Sequence, residues 1–506
     1  MQRIFGPPGT GKTTRLLDMV DKAIMDGINP HAIAFLAFTR KAATEAKERA
    51  AERFKLEVNH DLYYFRTLHS LSFRLLNLKK EDLIQAEHYK ELADKIGFTL
   101  NATQSPLSDD EDAPATCEHP ILSLLNLSRL KKTPLQAEYN ASHIGFTWQE
   151  VDYVASCYNE FKTNNGICDY TDMLELFVQD ADRLCPNFDI VFLDEAQDLS
   201  PLQWDVADAL NRKSKKMYIA GDDDQAIYRF AGADVNHFIN LPCSSEVLEQ
   251  SYRIPGKVHN LAQKIVSRIG NRYPKIYKPR QEAGEILHYQ DTTDLFSRVN
   301  MSSGSWLIMA QANYMLSPLA QELRNAGYLF ERNGKRSIST KLAIAVNSWE
   351  RLRRGKKIEK ASARIMYAYM TGSGHRVARG KKKIKGEDTE LVSFETLTEE
   401  HGLLATMDMV WHTALDQIND TDRVYITSLL RRGEKFNATP RIRLSTIHGT
   451  KGGEADNVVL FTDLTSAALA TYGDDLHRVF YVAVTRTKEN LHIVEPEDYL
   501  RAYDLP

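Results

Sequence analysis

Lys12 and Thr13 close a glycine-rich run, Gly6-Pro7-Pro8-Gly9-Thr10-Gly11-Lys12-Thr13, whose spacing fits G-x-x-x-x-G-K-[ST]. Glycines in such a run let backbone N–H groups turn inward onto phosphate oxygens, and the N-terminus of the helix that follows adds partial positive charge. The Lys12 ammonium suits neutralising β- and γ-phosphates, and the Thr13 hydroxyl suits Mg²⁺. Gly6, Pro7, Gly9, Thr10, Gly11, Lys12, Thr13 and Thr14 are therefore the candidate phosphate cradle. A chance glycine-rich turn is the plain alternative. Context argues against it, because the run follows a short strand, Gln2 to Phe5, and opens a segment of helical spacing, Thr13 to Met25.

A second constellation is acidic. The apolar stretch Ile190-Val191-Phe192-Leu193 runs into Asp194-Glu195-Ala196-Gln197-Asp198. Carboxylates at the carboxyl edge of a parallel sheet sit beside a phosphate loop. Asp194 suits holding Mg²⁺ through water, together with Thr13, and Glu195 suits activating the attacking water. Read alone, this is also what a solvated acidic turn looks like. A further strand-like run, Met217 to Ala220, leads into Gly221-Asp222-Asp223-Asp224-Gln225. Gln225 suits sensing a γ-phosphate or orienting water. Three adjacent aspartates add little by themselves.

Residues so far apart meet only if a scaffold gathers strand ends. Ala32 to Phe38 is almost continuously apolar, as a buried parallel strand is, and Ala42 to Arg53 reads as helix. Strand, loop, helix, strand, helix is the pattern of an α/β sheet with right-handed crossovers. Residues 76–165 break that pattern and read as helices, interrupted by the acidic stretch Ser105 to His119, which reads as a mobile surface loop. A second α/β region has strands at Trp306 to Met309, Val458 to Phe461 and Leu491 to Val494, interrupted by a helical, basic segment. The expected class is α/β, with two parallel-sheet domains each carrying a mainly helical insertion. One domain is expected from 1–75 with 166–245 around insertion 76–165, the other from 246–335 with 436–506 around insertion 336–435.

Composition sets bounds. The chain has 506 residues, 43% hydrophobic and 26% charged, with net charge −4. The balance is that of a soluble globular protein, and no apolar run suits a bilayer span. The N-terminus has no basic-then-apolar export signal, and the five cysteines form no Cys-x-x-Cys pair, so a reducing cytoplasm is expected, with neither zinc site nor disulfide framework. The slightly acidic balance does not exclude nucleic acid, because a groove needs only local positive charge.

Taken in order, these motifs and several others resemble the UvrD/Rep family of superfamily one helicases, from Gly6 to Arg486. Leu36-Ala37-Phe38-Thr39-Arg40 resembles the family's motif Ia and Thr67-Leu68-His69-Ser70 its motif Ib. The resemblance implies that Phe38 and Thr39, and His69, touch a nucleic-acid strand. Asp169-Tyr170-Thr171-Asp172-Met173-Leu174 matches the element before the acidic motif. Tyr228 and Phe230 match base-stacking positions, a contact worth about 1–3 kcal/mol and tolerant of sequence. Core packing is the other use for such rings. Leu248-Glu249-Gln250-Ser251-Tyr252-Arg253 resembles motif IV, with Tyr252 on the base and Arg253 on the γ-phosphate. Thr446, His448, Lys451 and Glu454 follow motif V, the first three facing the strand and Glu454 a ribose hydroxyl. Arg486, in Tyr481-Val482-Ala483-Val484-Thr485-Arg486, matches the arginine finger.

The implied activity is that of an ATP- and Mg²⁺-dependent DNA helicase with two RecA-like domains. The implied partners are single-stranded DNA and single/double-strand junctions, with 3′→5′ movement. Two arginines from the second domain would meet phosphates held by the first, and cleft closure would move the strand by about one nucleotide per cycle. Departures qualify this. The family's adenine-reading glutamine precedes its first strand, which here starts at residue 2, so weak ATP/GTP discrimination is expected. Its strand-separating hairpin follows motif VI, where only Glu495 to Pro506 remain after the last strand, so robust translocation is expected with unwinding that is poor or partner-dependent. Ala231 stands where relatives often carry arginine. The basic runs at 351–357 and 375–385 read equally as duplex contacts or solvated loops. A single-strand translocase, an RNA motor and an ATP-gated binding or defence module stay open as alternatives.

Overall fold

The computed structural model describes every residue except Phe38, Thr39, Val58, Asn59 and 105–114. The chain divides into two compact units, 1–283 with 472–485, and 284–471 with 486–506. This grouping differs from the sequence reading, because 246–283 and 472–485 join the first unit. No described helix is long and apolar enough to cross a membrane.

The first unit is built on a six-stranded sheet ordered Phe65–Thr67, Ile33–Ala37, Phe188–Leu193, Ser214–Gly221, Gln2–Phe5, Ser244–Val247. Every neighbouring pair is parallel. Ile33–Ala37 is buried along its whole length, which explains its uninterrupted apolar sequence. The register levels the carboxyl ends: Phe5 pairs with both Gly221 and Val247, and Leu193 with both Leu36 and Ile219. Each chemistry-bearing loop of this unit leaves from that one edge. The helix Lys12–Met25 buries Leu16, Leu17, Val20 and Ala23, one stripe at helical spacing, against this sheet.

The first insertion has its own core, in which Tyr89, Leu92, Ile121, Leu125, Val154 and Phe161 meet. Its principal helices are Ala86–Ile96, Pro120–Lys131 and Trp148–Asn165. Most of the acidic stretch expected as a loop lies outside the described residues. Its described flank, Ala115–Cys117, pairs antiparallel with Ala102–Gln104.

The second unit carries a seven-stranded sheet, ordered Lys335–Arg336, Phe330–Arg332, Ile442–Thr446, Trp306–Ala310, Ala455–Phe461, Thr487–Val494, Glu285–Tyr289. All its pairs are parallel except that of the edge strand Lys335–Arg336. Helices of the insertion, including Thr340–Arg353 and Asp420–Arg432, bury Trp349, Tyr367 and Leu429 in a core continuous with that of the sheet.

Candidate functional site

The glycine loop leaves Phe5 at the carboxyl edge of the first sheet. Gly6 N–H donates to Gly221 O at 3.0 Å, tying the loop to the strand that leads into Gln225. A Cβ on Gly6 would lie 1.7 Å from Lys12 Cγ, so only glycine lets the lysine fold back over the loop. Gly9 and Gly11 take φ of +73° and +80°, which turns the intervening N–H groups one way. Gly11 is the N-cap of the helix and has no side chain with which to occupy its first-turn N–H groups. Thr10 closes the loop by donating its hydroxyl to Pro7 O at 2.8 Å.

Opposite the loop stands the acidic pair. Thr13 Oγ1 donates to Asp194 Oδ2 at 2.6 Å, and Lys12 Nζ lies 3.1 Å from Glu195 Oε1. The backbone at Glu195 is left-handed, φ +56°, a conformation unusual outside glycine and common where function fixes a side chain. Burial and then the neighbouring Glu195 charge push the Asp194 carboxyl up to about 6, against the opposing pull of Lys12 and the Thr13 hydroxyl. Burial alone would lower the Lys12 ammonium, but Glu195, Asp194 and Asp222 outweigh it and its pKa is raised. The site is thus a cradle of N–H groups and one ammonium facing an oxygen-only pair, Thr13 and Asp194. Those donors fit a triphosphate and a hard divalent cation such as Mg²⁺.

Gln225 joins this edge through a relay. Its Nε2 donates to Asp222 Oδ2 at 2.7 Å, the Asp222 N–H donates to Gln197 Oε1 at 2.9 Å, and Gln197 Nε2 donates to Glu195 Oε2 at 2.6 Å. Sequence reasoning passed over Gln197, although it lies inside the acidic motif. It also missed Lys275, whose ammonium is packed among Asp222, Asp223 and Asp224.

Arg253 departs from expectation. It belongs to the first unit, because Ser244–Val247 is an edge strand of the first sheet and the chain beyond is tied to the glycine loop. Ser251 Oγ donates to Pro8 O at 2.8 Å and Tyr252 N–H to Gly9 O at 2.8 Å. A Cβ on Gly9 would lie 2.4 Å from Arg253 Cβ. Ser251 is a further missed residue, with no signal beyond its place in the motif. The Tyr252 ring is 75% exposed beside the loop, as a stacking platform requires.

Of the strand-contact candidates, Phe38 and Thr39 lie outside the described residues. Phe230 is 68% exposed, with the half-buried Tyr228 ring 6.2 Å away and tilted by 52°. His69 meets the Tyr170 ring edge-on at 5.3 Å, and burial holds its imidazole down to about 4, so it is neutral at pH 7.

The remaining candidates cluster in the second unit. Thr446 ends the strand Ile442–Thr446, and its Oγ1 accepts from Gly449 N at 3.2 Å, shaping the turn that carries His448 and Lys451. Glu454 Oε1 pairs with Lys488 at 2.6 Å. Arg486 is buried and donates to Gly453 O at 3.3 Å, while its own carbonyl accepts from Ala455 N at 3.1 Å.

Residues 3–244 match the model of the UvrD/REP helicase N-terminal domain, and residues 441–494 that of the UvrD-like helicase C-terminal domain. The chain is 26% identical over 342 residues to an ATP-dependent DNA helicase PcrA of Leuconostoc citreum, covering 64% of this chain and 43% of that protein. To the ATP-dependent DNA helicase PcrA of Staphylococcus aureus (strain Mu50 / ATCC 700699) it is 26% identical over 314 residues, covering 57% and 41%. To that of Staphylococcus epidermidis it is 25% identical over 314 residues, with the same coverage of 57% and 41%. The chain spans less than half the length of the curated relatives it matches.

Proposed function

Because the chain belongs to the UvrD/Rep family of helicases, we propose that it hydrolyses ATP to move 3′→5′ along single-stranded DNA. The observation that carries this reading is the meeting of Lys12, Thr13, Asp194 and Glu195 at one sheet edge, with Gln225 joined to them through Asp222 and Gln197.

Loop N–H groups and Lys12 bind the phosphates, and Tyr252 stacks on the base. Thr13 and Asp194 would hold Mg²⁺, which would supply charge that neutralises the phosphates. Glu195 accepts a proton from water as the water oxygen bonds to the γ-phosphorus. The bond to the β–γ bridging oxygen breaks, and that oxygen leaves with ADP. Gln225 orients the water, while Arg253 and Arg486 stabilise the charge that spreads over the transferring group. Glu454 holds the ribose. The strand runs over Phe230 and Tyr228, with Phe38, Thr39, His69, Thr446, His448 and Lys451 as further contacts. Making Arg486 sense the γ-phosphate from the second unit couples each ATP cycle to a change of grip on the strand.

The test is ATPase turnover with and without single-stranded DNA, in the intact chain and in Lys12→Ala. Strong stimulation is expected in the first. In the second, kcat should fall by at least about 10²-fold, the scale of removing a preorganised charge from a transferring phosphoryl group. Turnover indifferent to both DNA and Lys12 would reject the reading. A fork substrate labelled on either arm then reads direction and unwinding.

A further inference from the structure

Asp222, Asp223 and Asp224 bring carboxylate oxygens within 4.8 Å of one another in the interior of the first unit. Three buried carboxylates so close repel one another and need a cation among them. Here the cation is a side chain. The Lys275 side chain is 1% exposed, with Nζ 3.0 Å from Asp222 Oδ1, 2.9 Å from Asp224 Oδ2 and ion-paired with Asp223. Burial alone would lower its pKa, but the three carboxylates hold the ammonium well above its ordinary value.

The three aspartates are not equivalent. Asp224 also accepts both arms of the Arg272 guanidinium, at 2.8 and 2.7 Å, and Asp223 accepts from Tyr273 N–H at 2.7 Å. Asp222 divides its carboxylate differently. Oδ1 faces Lys275, and Oδ2 accepts the amide of Gln225 at 2.7 Å. The Lys275 ammonium also lies 5.3 Å from the ring centroid of Phe5, the residue before the phosphate loop, on which Tyr273 stacks at 4.1 Å. One lysine therefore touches the base of the loop and the carboxylate that aims the glutamine.

We infer that Lys275 is a positioning residue for nucleotide turnover, fixing Asp222 and through it the amide of Gln225 beside the phosphate loop. The inference rests on the ATP-hydrolysis reading above. A role confined to stability makes different demands. It lowers kcat in proportion to lost fold and acts whether or not Gln225 is present. A positioning role is spent once Gln225 is gone.

The experiment is a kinetic double-mutant cycle on the full chain at saturating single-stranded DNA. Lys275→Met/Asp223→Asn removes one charge of each sign and so leaves the net charge of the cluster unchanged, while Asp222 Oδ1 loses its ammonium. It is expected to lower kcat by about 10- to 100-fold with KM for ATP changed less than about threefold, the pattern of a misplaced group rather than lost binding. Added to Gln225→Ala, the same two changes should cost no more than about twofold further. An unaltered kcat would overturn the inference, as would an undiminished loss on the Gln225→Ala background. Failure of the charge-balanced variant to fold, read by thermal unfolding, would also overturn it, by making Lys275 a stability residue. A wild-type chain without Lys12-dependent turnover would remove the reading and the inference together; an active wild type with unaffected variants would remove the inference alone.

Discussion

Two glycines of the glycine-rich loop share a left-handed backbone and differ in what surrounds them. At Gly9 a Cβ would lie 2.4 Å from Arg253 Cβ and 2.8 Å from Ser251 Oγ, whereas at Gly11 its nearest neighbour is Thr14 Cβ at 3.8 Å. Gly11→Ala should therefore cost only the backbone strain of a left-handed alanine, about 1 kcal/mol. Gly9→Ala carries that strain and in addition displaces the segment bearing Tyr252 and Arg253. Titration with a fluorescent ATP analogue should show Gly9→Ala weakened by at least about tenfold more than Gly11→Ala, a further cost above about 1.4 kcal/mol. Equal losses would mean that the contact between Arg253 and the loop does not contribute to nucleotide binding. The spacing of the glycines was readable in the sequence; the different neighbours of Gly9 and Gly11 were not, because Ser251 and Arg253 reach the loop from a distant segment.

Among the secondary-structure elements, the helix Tyr170–Gln179 shows how a helical insertion is fastened to a sheet. Asp169 caps it, accepting from Asp172 N–H at 2.8 Å, while the Asp172 side chain accepts from Asp169 N–H at 2.8 Å. The buried Asp169 carboxylate also takes Lys162 at 2.6 Å and Tyr158 at 3.0 Å from the helix Trp148–Asn165, and Arg129 at 3.0 Å from Pro120–Lys131. Burial alone would raise its pKa, but Lys162 and Arg129 outweigh it and hold the carboxyl well below the usual range. A folded pKa below the unfolded one gives stability that is present above the unfolded value and is lost as pH falls through it toward the folded one. Asp169→Asn should cost about 3 kcal/mol at pH 7, because it leaves two buried cations short of a partner, and the gap from wild type should narrow below about pH 4. Urea unfolding followed across that range reads both; a gap independent of pH would assign the loss to packing. The motif around Asp169 was legible only as a family pattern. Strands and the glycine-rich loop were legible because each is a contiguous run. The Lys162 and Arg129 contacts were not, since a lone lysine or arginine on a helix reads first as a solvated charge.

For the whole molecule, the consequential feature is that the first unit is completed by a segment from near the chain's end. The helix Asp474–Val484 belongs to that unit, while the residues on both sides of 472–485 belong to the other. It is held by buried polar groups. Arg478 is almost wholly enclosed and donates to Asp223 O at 2.9 Å and to Asn271 O at 2.5 Å, and the Tyr481 and Tyr277 hydroxyls meet at 3.2 Å. Asp474 accepts from the N–H groups of Gly270 and Asn271 at 2.9 and 3.0 Å. The loop that carries Gln225 is therefore braced by a helix more than 200 residues further along, and Arg486, two positions after the helix ends, is the first residue returned to the second unit. No local pattern marks such a brace, so the sequence suggested only that this stretch belongs with its neighbours. Arg478→Met should leave the buried carbonyl of Asp223, and that of Asn271, without this donor, at a cost of about 2–4 kcal/mol. The loss should be confined to the first unit. Hydrogen exchange should quicken in Gln2–Phe5 and Ser214–Gly221 and stay unchanged in Ile442–Thr446 and Ala455–Phe461. Equal acceleration in both sheets would mean that the helix stabilises the chain as a whole and does not belong to one unit, and unchanged exchange in both would mean that it braces neither.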